Sequence, residues 1–248
     1  MKKIEIYGLS GMPLIKKGDN FAEIILKTAK DNQFVFQKGD VLVVAQKAIS
    51  KSEGSFVSLR EIIPSSEAVS LSEKTGRDPR LCQVYINESS KILRTKGRMV
   101  ITIHRLGFEC TGAGVDRSNI APHEDEVVCL LPENPDFSAR RIREALEQAL
   151  RTDLAVIIND SFGRRDREGS IGIAIGISGI GALEIREQKD LFENPSKSMI
   201  ALVDELSAAA STMMGQADEG MPVVIIRGAN YQRNTDSSIK DILIQQEE

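Results

Sequence analysis

The sequence predicts an α/β fold of mixed α+β type, on three observations. Short runs of branched apolar residues at 41–45, 154–158 and 221–226 have the length and composition of buried strands. Between them, apolar residues recur at helical spacing over 21–30, over 138–150 and in the segment ending at Met214. No internal repeat, low-complexity run or long linker divides the 248 residues, so residues 1–248 are expected to form one domain.

Taken in order, residues 3–7 alternate as a strand does, and 8–15 follow as a loop holding Gly8, Gly11 and Pro13. Such a loop either brings backbone close to a ligand or simply turns at the surface. Asp19 or Asn20 caps a helix over 21–30, where Ile24, Ile25 and Thr28 share one face. Gly39-Asp40 launches the strand 41–45, and beyond it Gln46, Lys47, Ser50, Lys51, Ser52, Glu53 and Gly54 form a polar stretch. Two readings fit that stretch: a phosphate-holding segment outside the carboxyl end of a strand, or an exposed charged turn. It is not a Walker A loop, because the glycine spacing is absent. Ser65 or Ser66 caps a short helix over 67–74, and Asp78-Pro79 opens another that carries Leu81, Val84, Tyr85, Ile86, Ser89 and Leu93. A strand at 99–104 leads to Thr111-Gly112-Ala113-Gly114-Val115-Asp116-Arg117-Ser118-Asn119, which sets two oxygen-bearing side chains, Asp116 and Asn119, among small residues. His123 precedes the acidic run Glu124-Asp125-Glu126 and reads as solvated rather than catalytic.

Residues 132–137 read as a linker-like turn into a helix over 138–150, with Ile142, Ala145, Leu146, Ala149 and Leu150 on one side and Arg140, Arg141 and Arg143 on the other. The strand 154–158 is expected to stop at Asn159-Asp160-Ser161. A carboxylate and a hydroxyl at the end of a buried strand are oxygen ligands on a rigid base, suited to a hard cation such as magnesium. Arg164, Arg165 and Arg167 follow within a few residues and suit a metal-bound phosphate, while a cap or turn at Asp160 with solvated arginines accounts for the same residues. Asp116 and Asp160 each fall where a strand meets a small or polar loop, so they are candidates to share one cation. Residues 170–179 alternate isoleucine with small residues, as close packing of another backbone requires, with a second subunit as one source. Ser196 or Ser198 caps a long helix that ends at Met214 near Gly215, with Met213 and Met214 as core. The loop Gly215-Gln216-Ala217-Asp218-Glu219-Gly220 is a third candidate for metal and phosphate contacts, ahead of the strand 221–226. A short helix over 238–245 closes the chain.

Composition narrows the function classes. With 41% hydrophobic and 27% charged residues, a net charge of −4 and no long basic block, the chain has neither the profile of a disordered protein nor the footprint of a duplex-binding one. The absence of Trp and the few aromatic residues remove an obvious base-stacking platform. No apolar run approaches ~20 residues and the N-terminus has no signal-peptide core, so a cytoplasmic protein without membrane association is expected. Cys82, Cys110 and Cys129 are odd in number and scattered, which argues against a disulfide framework or zinc site and leaves oxygen to hold any metal.

Together, GMPLIKKGD, VLVVAQKAISKSEG, AGVDRSNI, LLPENPDFSARRIREAL, VIINDSFGRRDREG, IGIAIGISG and MMGQADEGMPVVIIRG resemble the coenzyme F420-0:L-glutamate ligase family in its stand-alone form, across nearly the whole chain. The resemblance implies a family-specific α/β fold assembled as an intertwined homodimer. It implies use of GTP and a divalent metal, Mg2+ or Mn2+ at two sites with K+ as a further ion, to attach L-glutamate to coenzyme F420-0. Some members extend a γ-linked tail. By the same resemblance Asp116 and Asp160 would hold the first metal, and Ser161 with Gln216 would contribute to a second. Met12, Pro13, Leu14, Ile15, Gln46, Lys47, Lys51, Asn119, Met214, Gly215, Gln216, Ala217, Asp218, Glu219, Gly220 and Met221 would surround the guanine nucleotide, with Lys51 and Asp160 in catalytic roles.

The chemistry is consistent with those roles. A free carboxylate does not usefully form an amide, so GTP would first phosphorylate the acceptor carboxylate, and the glutamate amine would attack the acyl phosphate. Arg164, Arg165 or Arg167 would grip an anionic substrate, because guanidinium pairs bidentately with carboxylate and phosphate. The sequence departs from the family pattern at three places. Asn159-Asp160-Ser161 stands where Thr-Asp-Thr is frequent, Gln216 where some members have Glu, and Arg165-Asp166 where many bacterial members have Pro-Trp. The last difference keeps open the same ligation on another anionic acceptor, while a nucleotide-binding regulatory protein without turnover is a further reading against which the retained Asp116, Asp160, Ser161 and Lys51 argue.

Overall fold

A computed structural model describes residues 2–120 and 126–244. Strand β1 (Glu5–Gly8) leads through a loop to α1 (Phe21–Asp31), where Asn20 is the cap and accepts the Glu23 N–H. β2 (Val41–Ala45) follows as expected from its apolar run. The polar stretch after it is not an exposed turn but helix α2 (Gln46–Glu53), stopped at Gly54 in the left-handed conformation. Ala48 and Ile49 anchor that helix in the core, a short apolar signal that the surrounding polar residues obscure.

β3 (Phe56–Ser58) precedes α3 (Ser66–Thr75), capped by Ser65, and α4 (Pro79–Asn87), capped by Asp78. Ser89 and Leu93 do not extend α4. They belong to β4 (Ser89–Lys96), which turns through Gly97 and Arg98 into β5 (Met99–His104). β6 (Glu109–Thr111) completes that three-stranded sheet, and β7 (Val127–Cys129) pairs with β3. α5 (Pro135–Leu150) begins three residues ahead of expectation, because Asn134 caps it and Pro135 occupies its first turn.

The strand expected to stop at residue 158 continues as β8 (Ala155–Arg164) into a tight hairpin with β9 (Arg167–Ser178). Asp160 is therefore a strand residue opposite Ile173, not a cap or turn, and the three arginines stand at the hairpin tip. Residues 184–200 form a ribbon, β10 (Glu184–Lys189) with β11 (Pro195–Ile200), where a helix start was expected. α6 (Leu202–Met214) then runs to β12 (Val223–Arg227). The final turn is a 3₁₀ segment at Ile239–Ile242 with Ser238 in a capping box, shorter than the expected helix, whose last residue lies outside the described ones.

The central sheet has the order β1-β12-β2-β8-β9, parallel between β2 and β8 and antiparallel elsewhere. Both faces are covered, which is why its middle strands are apolar throughout instead of alternating. Leu42, Val44, Val156, Ile158 and Ile225 pack under α1 and α5, while Val41, Val43, Ala155, Ile157, Val224 and Ile226 pack under α6. A third cluster joins α3 and α4 to β5 and β7 through Leu71, Leu81, Val84, Val100 and Val128. The small residues of β9 serve the chain's own helices: a Cβ at Gly176 would lie 2.4 Å from Pro135 on α5, and one at Gly172 would lie 2.4 Å from the Ser207 carbonyl on α6. At the opposite end of the sheet from the candidate site, buried Asp40 receives Arg227 through Nε at 2.8 Å and Nη2 at 2.7 Å, a bidentate brace between β2 and β12. Among the described residues no helix is long and apolar enough to cross a membrane.

Candidate functional site

Because β2 and β8 are parallel, they finish their paired stretch on the same edge, with Ala45 opposite Asn159. The antiparallel neighbours bring the start of β12 and the end of β1 to that edge too. Ala45 N–H donates to the Pro222 carbonyl at 2.8 Å, and Leu9 N–H donates to the Val223 carbonyl at 3.1 Å. The segments 9–20, 46–54 and 214–222 therefore emerge beside Asp160, outside strand ends where α/β proteins bind ligands.

Alternation along β8 sends Ile158, Asp160 and Phe162 toward the α1 and α5 side, and Asn159 and Ser161 toward α6. Burial pushes the Asp160 carboxyl up to about 7, and the nearby charge of Asp116 adds to that rise. The Ser161 N–H, donating at 2.8 Å, the Lys47 charge and the Gln46 amide act in the opposite direction. Ser50 Oγ donates to Gln46 Oε1 at 3.1 Å, leaving the amide nitrogen of Gln46 to face Asp160.

Asp116 arrives by a turn that only small residues allow: Gly112, Ala113 and Gly114 have φ of 57°, 51° and 64°. A reciprocal pair of 2.9 Å backbone bonds with Cys129 then fixes Asp116. Lys47 Nζ lies 2.5 Å from its Oδ2, while Ser118 donates to its Oδ1 through N–H at 2.8 Å and Oγ at 2.9 Å. Burial alone would raise the Asp116 pKa, but the Lys47 and Ser118 hydrogen bonds outweigh it and hold the carboxyl below its ordinary range. Lys51, one turn after Lys47, has its pKa lowered by burial and by the Lys47 charge, against the pull of the Cys129 thiol.

Asn119 Nδ2 donates to the Ala217 carbonyl at 3.0 Å, joining this loop to residues 214–221. In that segment Met214 is buried and accepts from Asn159 Nδ2 at 3.6 Å. Gln216, Ala217, Asp218, Glu219 and Gly220 are exposed. Gly215 has φ 70°, a backbone conformation that side chains rarely adopt, and the exposed Glu219 carboxylate folds over it. Met221 packs over Gly8 at the end of β1. Of the first loop, Ile15 is buried and Met12 packs against the core, whereas Pro13 and Leu14 are exposed. Gly18 N–H donates to the Ser52 carbonyl at 2.8 Å and ties that loop to the end of α2.

Nearly all sequence-selected residues thus occupy one edge of the sheet. The arginines do not. Arg164 and Arg167 pair across the tip of the hairpin, four residues and about 13 Å along the strand from Asp160. Arg165 reaches Glu109 at 3.0 Å, and Arg94 holds the other oxygen of the same carboxylate at 3.2 Å. His123 lies outside the described residues. Sequence reading missed Ser118, Ser50 and Asn159 as supports. Ser118 carried a signal, since Asp-x-Ser is an Asx-turn pattern.

Asp116 and Asp160 interact electrostatically and offer carboxylate oxygens on one face of β8, while Ser161 presents its hydroxyl on the other face and Gln216 is exposed in the loop after α6. Among the described residues no group of three or more His, Cys, Asp or Glu side chains converges, so a cation here would rely on two carboxylates completed by substrate oxygens, as magnesium sites commonly do. The Lys47 ammonium lies on Asp116 where a cation would, and burial together with the Asp116 charge disfavours ionisation of Asp160, so positive charge placed beside it would be stabilising.

The family model described as F420-0:gamma-glutamyl ligase matches residues 11–228. A coenzyme F420:L-glutamate ligase of Methanothermobacter thermautotrophicus is 40% identical over 243 residues, spanning 97% of this chain and 95% of its own length. The protein of the same name from Methanocaldococcus jannaschii is 44% identical over 233 residues, 92% of this chain and 89% of its own. That of Archaeoglobus fulgidus is 34% identical over 248 residues, 99% and 95% of the respective chains.

Proposed function

The chain belongs to the F420-0:gamma-glutamyl ligase family, and on that premise we propose that it joins L-glutamate to coenzyme F420-0 at the expense of GTP. The observation that carries this reading is the meeting of Asp116, Asp160, Lys47 and Lys51 outside one edge of the central sheet. Two acids and two ammonium groups in one half-buried place suit a reaction whose participants are all anionic.

Asp116 and Asp160 would hold one divalent ion, Mg2+ or Mn2+, and Ser161 and Gln216 would lend oxygens to a second on the other face of β8. Bound there, the ions neutralise phosphate charge and align the phosphates for attack. The chain's own groups supply the rest. Lys51, already partly desolvated, offers a point charge to the nucleotide phosphates. Residues 12–15, Gln46, Lys47, Asn119 and 214–221 line the same edge and would enclose the nucleotide. The terminal carboxylate of F420-0 would attack the γ-phosphorus of GTP, breaking its bond to the bridging oxygen and releasing GDP. The glutamate amine then attacks the acyl carbon, expelling phosphate and forming the amide. Repetition on the new carboxylate would extend a γ-glutamyl tail. The distance of Arg164, Arg165 and Arg167 from Asp160 suits a grip on the far end of a long anionic acceptor rather than on the phosphates.

We further propose a homodimer, supported by the β10–β11 ribbon, which exposes Ile185, Leu191, Phe192 and Met199. The ligation is tested by incubating the protein with F420-0, glutamate, GTP and Mg2+ or Mn2+ and following the acceptor by mass spectrometry. Gain of one or more glutamyl units, dependent on GTP and metal, is expected. An unchanged acceptor mass with nucleotide bound would overturn the choice of acceptor.

A further inference from the structure

Lys47 and Lys51 are four residues apart on α2, so their ammonium groups leave the same face of the helix. Lys47 is committed: its Nζ lies 2.5 Å from Asp116 Oδ2 and donates to Ser118 Oγ at 3.0 Å. The helix beneath it is fixed by buried Gln46, Ala48, Ile49 and Ser50 and by the left-handed stop at Gly54. Any rearrangement at this edge therefore falls to the four-carbon stem of the lysine rather than to the backbone.

That contact conflicts with the site around it. A divalent ion held by Asp116 and Asp160 would compete with the Lys47 ammonium for the Asp116 carboxylate, and two cations on one carboxylate repel strongly at short range. If Lys47 leaves Asp116, its charge stands beside that of Lys51, which makes no ion pair among the described residues, and like charges at this helical spacing are unfavourable. An anion between them relieves the repulsion, and a phosphate chain fits two ammonium groups on one helical face.

We propose that Lys47 is a positioning residue that changes partners. It holds Asp116 in the absence of a divalent cation, is released when that cation binds to Asp116 and Asp160, and then turns to the nucleotide phosphates beside Lys51. This rests on the metal and nucleotide sites proposed above and adds the coupling between them. One residue makes metal and nucleotide reinforce each other's binding, and by linkage the effect is reciprocal.

The test is Mn2+ binding followed by electron paramagnetic resonance without nucleotide, for the wild type, Lys47→Met and Lys47→Arg. Lys47→Met removes the competing cation and is expected to bind Mn2+ about fivefold or more tightly. Lys47→Arg keeps a cation on Asp116 and should retain the wild-type affinity. In calorimetry with GDP, Lys47→Met should also bind nucleotide more weakly. Unchanged or weaker Mn2+ binding by a Lys47→Met protein that unfolds at the wild-type temperature would overturn the exchange while leaving the ligase reading intact. Failure of the wild type to bind Mn2+ even with GDP present would overturn the metal site, and the exchange with it.

Discussion

Asp160 places an ionisable carboxyl in a strand of the central sheet. Its carboxyl is held up at about 7 by burial and by the neighbouring Asp116 charge. A folded-state value raised above the unfolded value of about 3.9 means that the group supports folding fully below pH ~4. That support is lost as pH rises toward 7, where the buried group must ionise. With a chelator present, the wild type should therefore lose thermal stability between about pH 4 and pH 7, and Asp160→Asn should lack that component. Adding Mg2+ should restore stability to the wild type and not to the variant. The same substitution should abolish metal-dependent ligation while leaving the circular dichroism spectrum unchanged. Equal pH slopes for the two proteins, or unchanged turnover at limiting magnesium, would remove Asp160 from this role.

At the scale of elements, what the sequence revealed depended on how local the cause was. β2 and α1 were legible because an apolar run and an Asn cap are contiguous signals. Three features were not. Residues 159–164 look like a turn because Asn, Asp, Ser and Gly cluster there, yet pairing to β9 holds them extended, and that partner is chosen by tertiary contact. α2 is polar on its exposed face and carries only two buried apolar residues, too few to reveal a helical period. The β10–β11 ribbon lacks a buried face, so it has no alternation to detect. The candidate site was more legible than these elements, since acids, lysines and glycines mark it by type; what bonds them, such as Ser118 and Gln46, is a matter of three-dimensional placement. The glycines of β9 show the same dependence and can be tested. At Gly172 a methyl group would meet backbone, the Ser207 carbonyl at 2.4 Å, as well as Asn159 Oδ1 at 2.5 Å. Gly172→Ala should therefore destabilise the protein by about 1–3 kcal/mol, as overpacking does. Gly163→Ala, on the neighbouring strand with nothing within 4 Å, should shift the denaturant midpoint little. Equal midpoints for the two variants would mean that α6 does not press on β9 as described.

At the scale of the whole molecule, the β10–β11 ribbon is the part that this chain does not complete. A two-stranded ribbon without a third strand or a covering helix is at best marginally stable in water. Here Ile185 and Met199 face each other across the ladder while remaining 56% and 66% exposed, and Leu191 and Phe192 at the tip are 98% and 84% exposed. The cross-strand pair Lys197 with Glu187 and the pair Lys189 with Glu193 within the tip turn are solvent-exposed and contribute little. Burial of those four apolar side chains would stabilise the ribbon, and the homodimer proposed above would supply it if each ribbon met the same surface of its partner across a two-fold axis. Leu191→Asp combined with Phe192→Asp would place two carboxylates in that contact. Sedimentation should then shift from dimer to monomer at micromolar concentration. The helical content should hold, because the central sheet, α5 and α6 keep their own cores. A double variant that still sediments as a dimer would show that the subunits meet elsewhere and that the ribbon projects into solvent or toward a different partner.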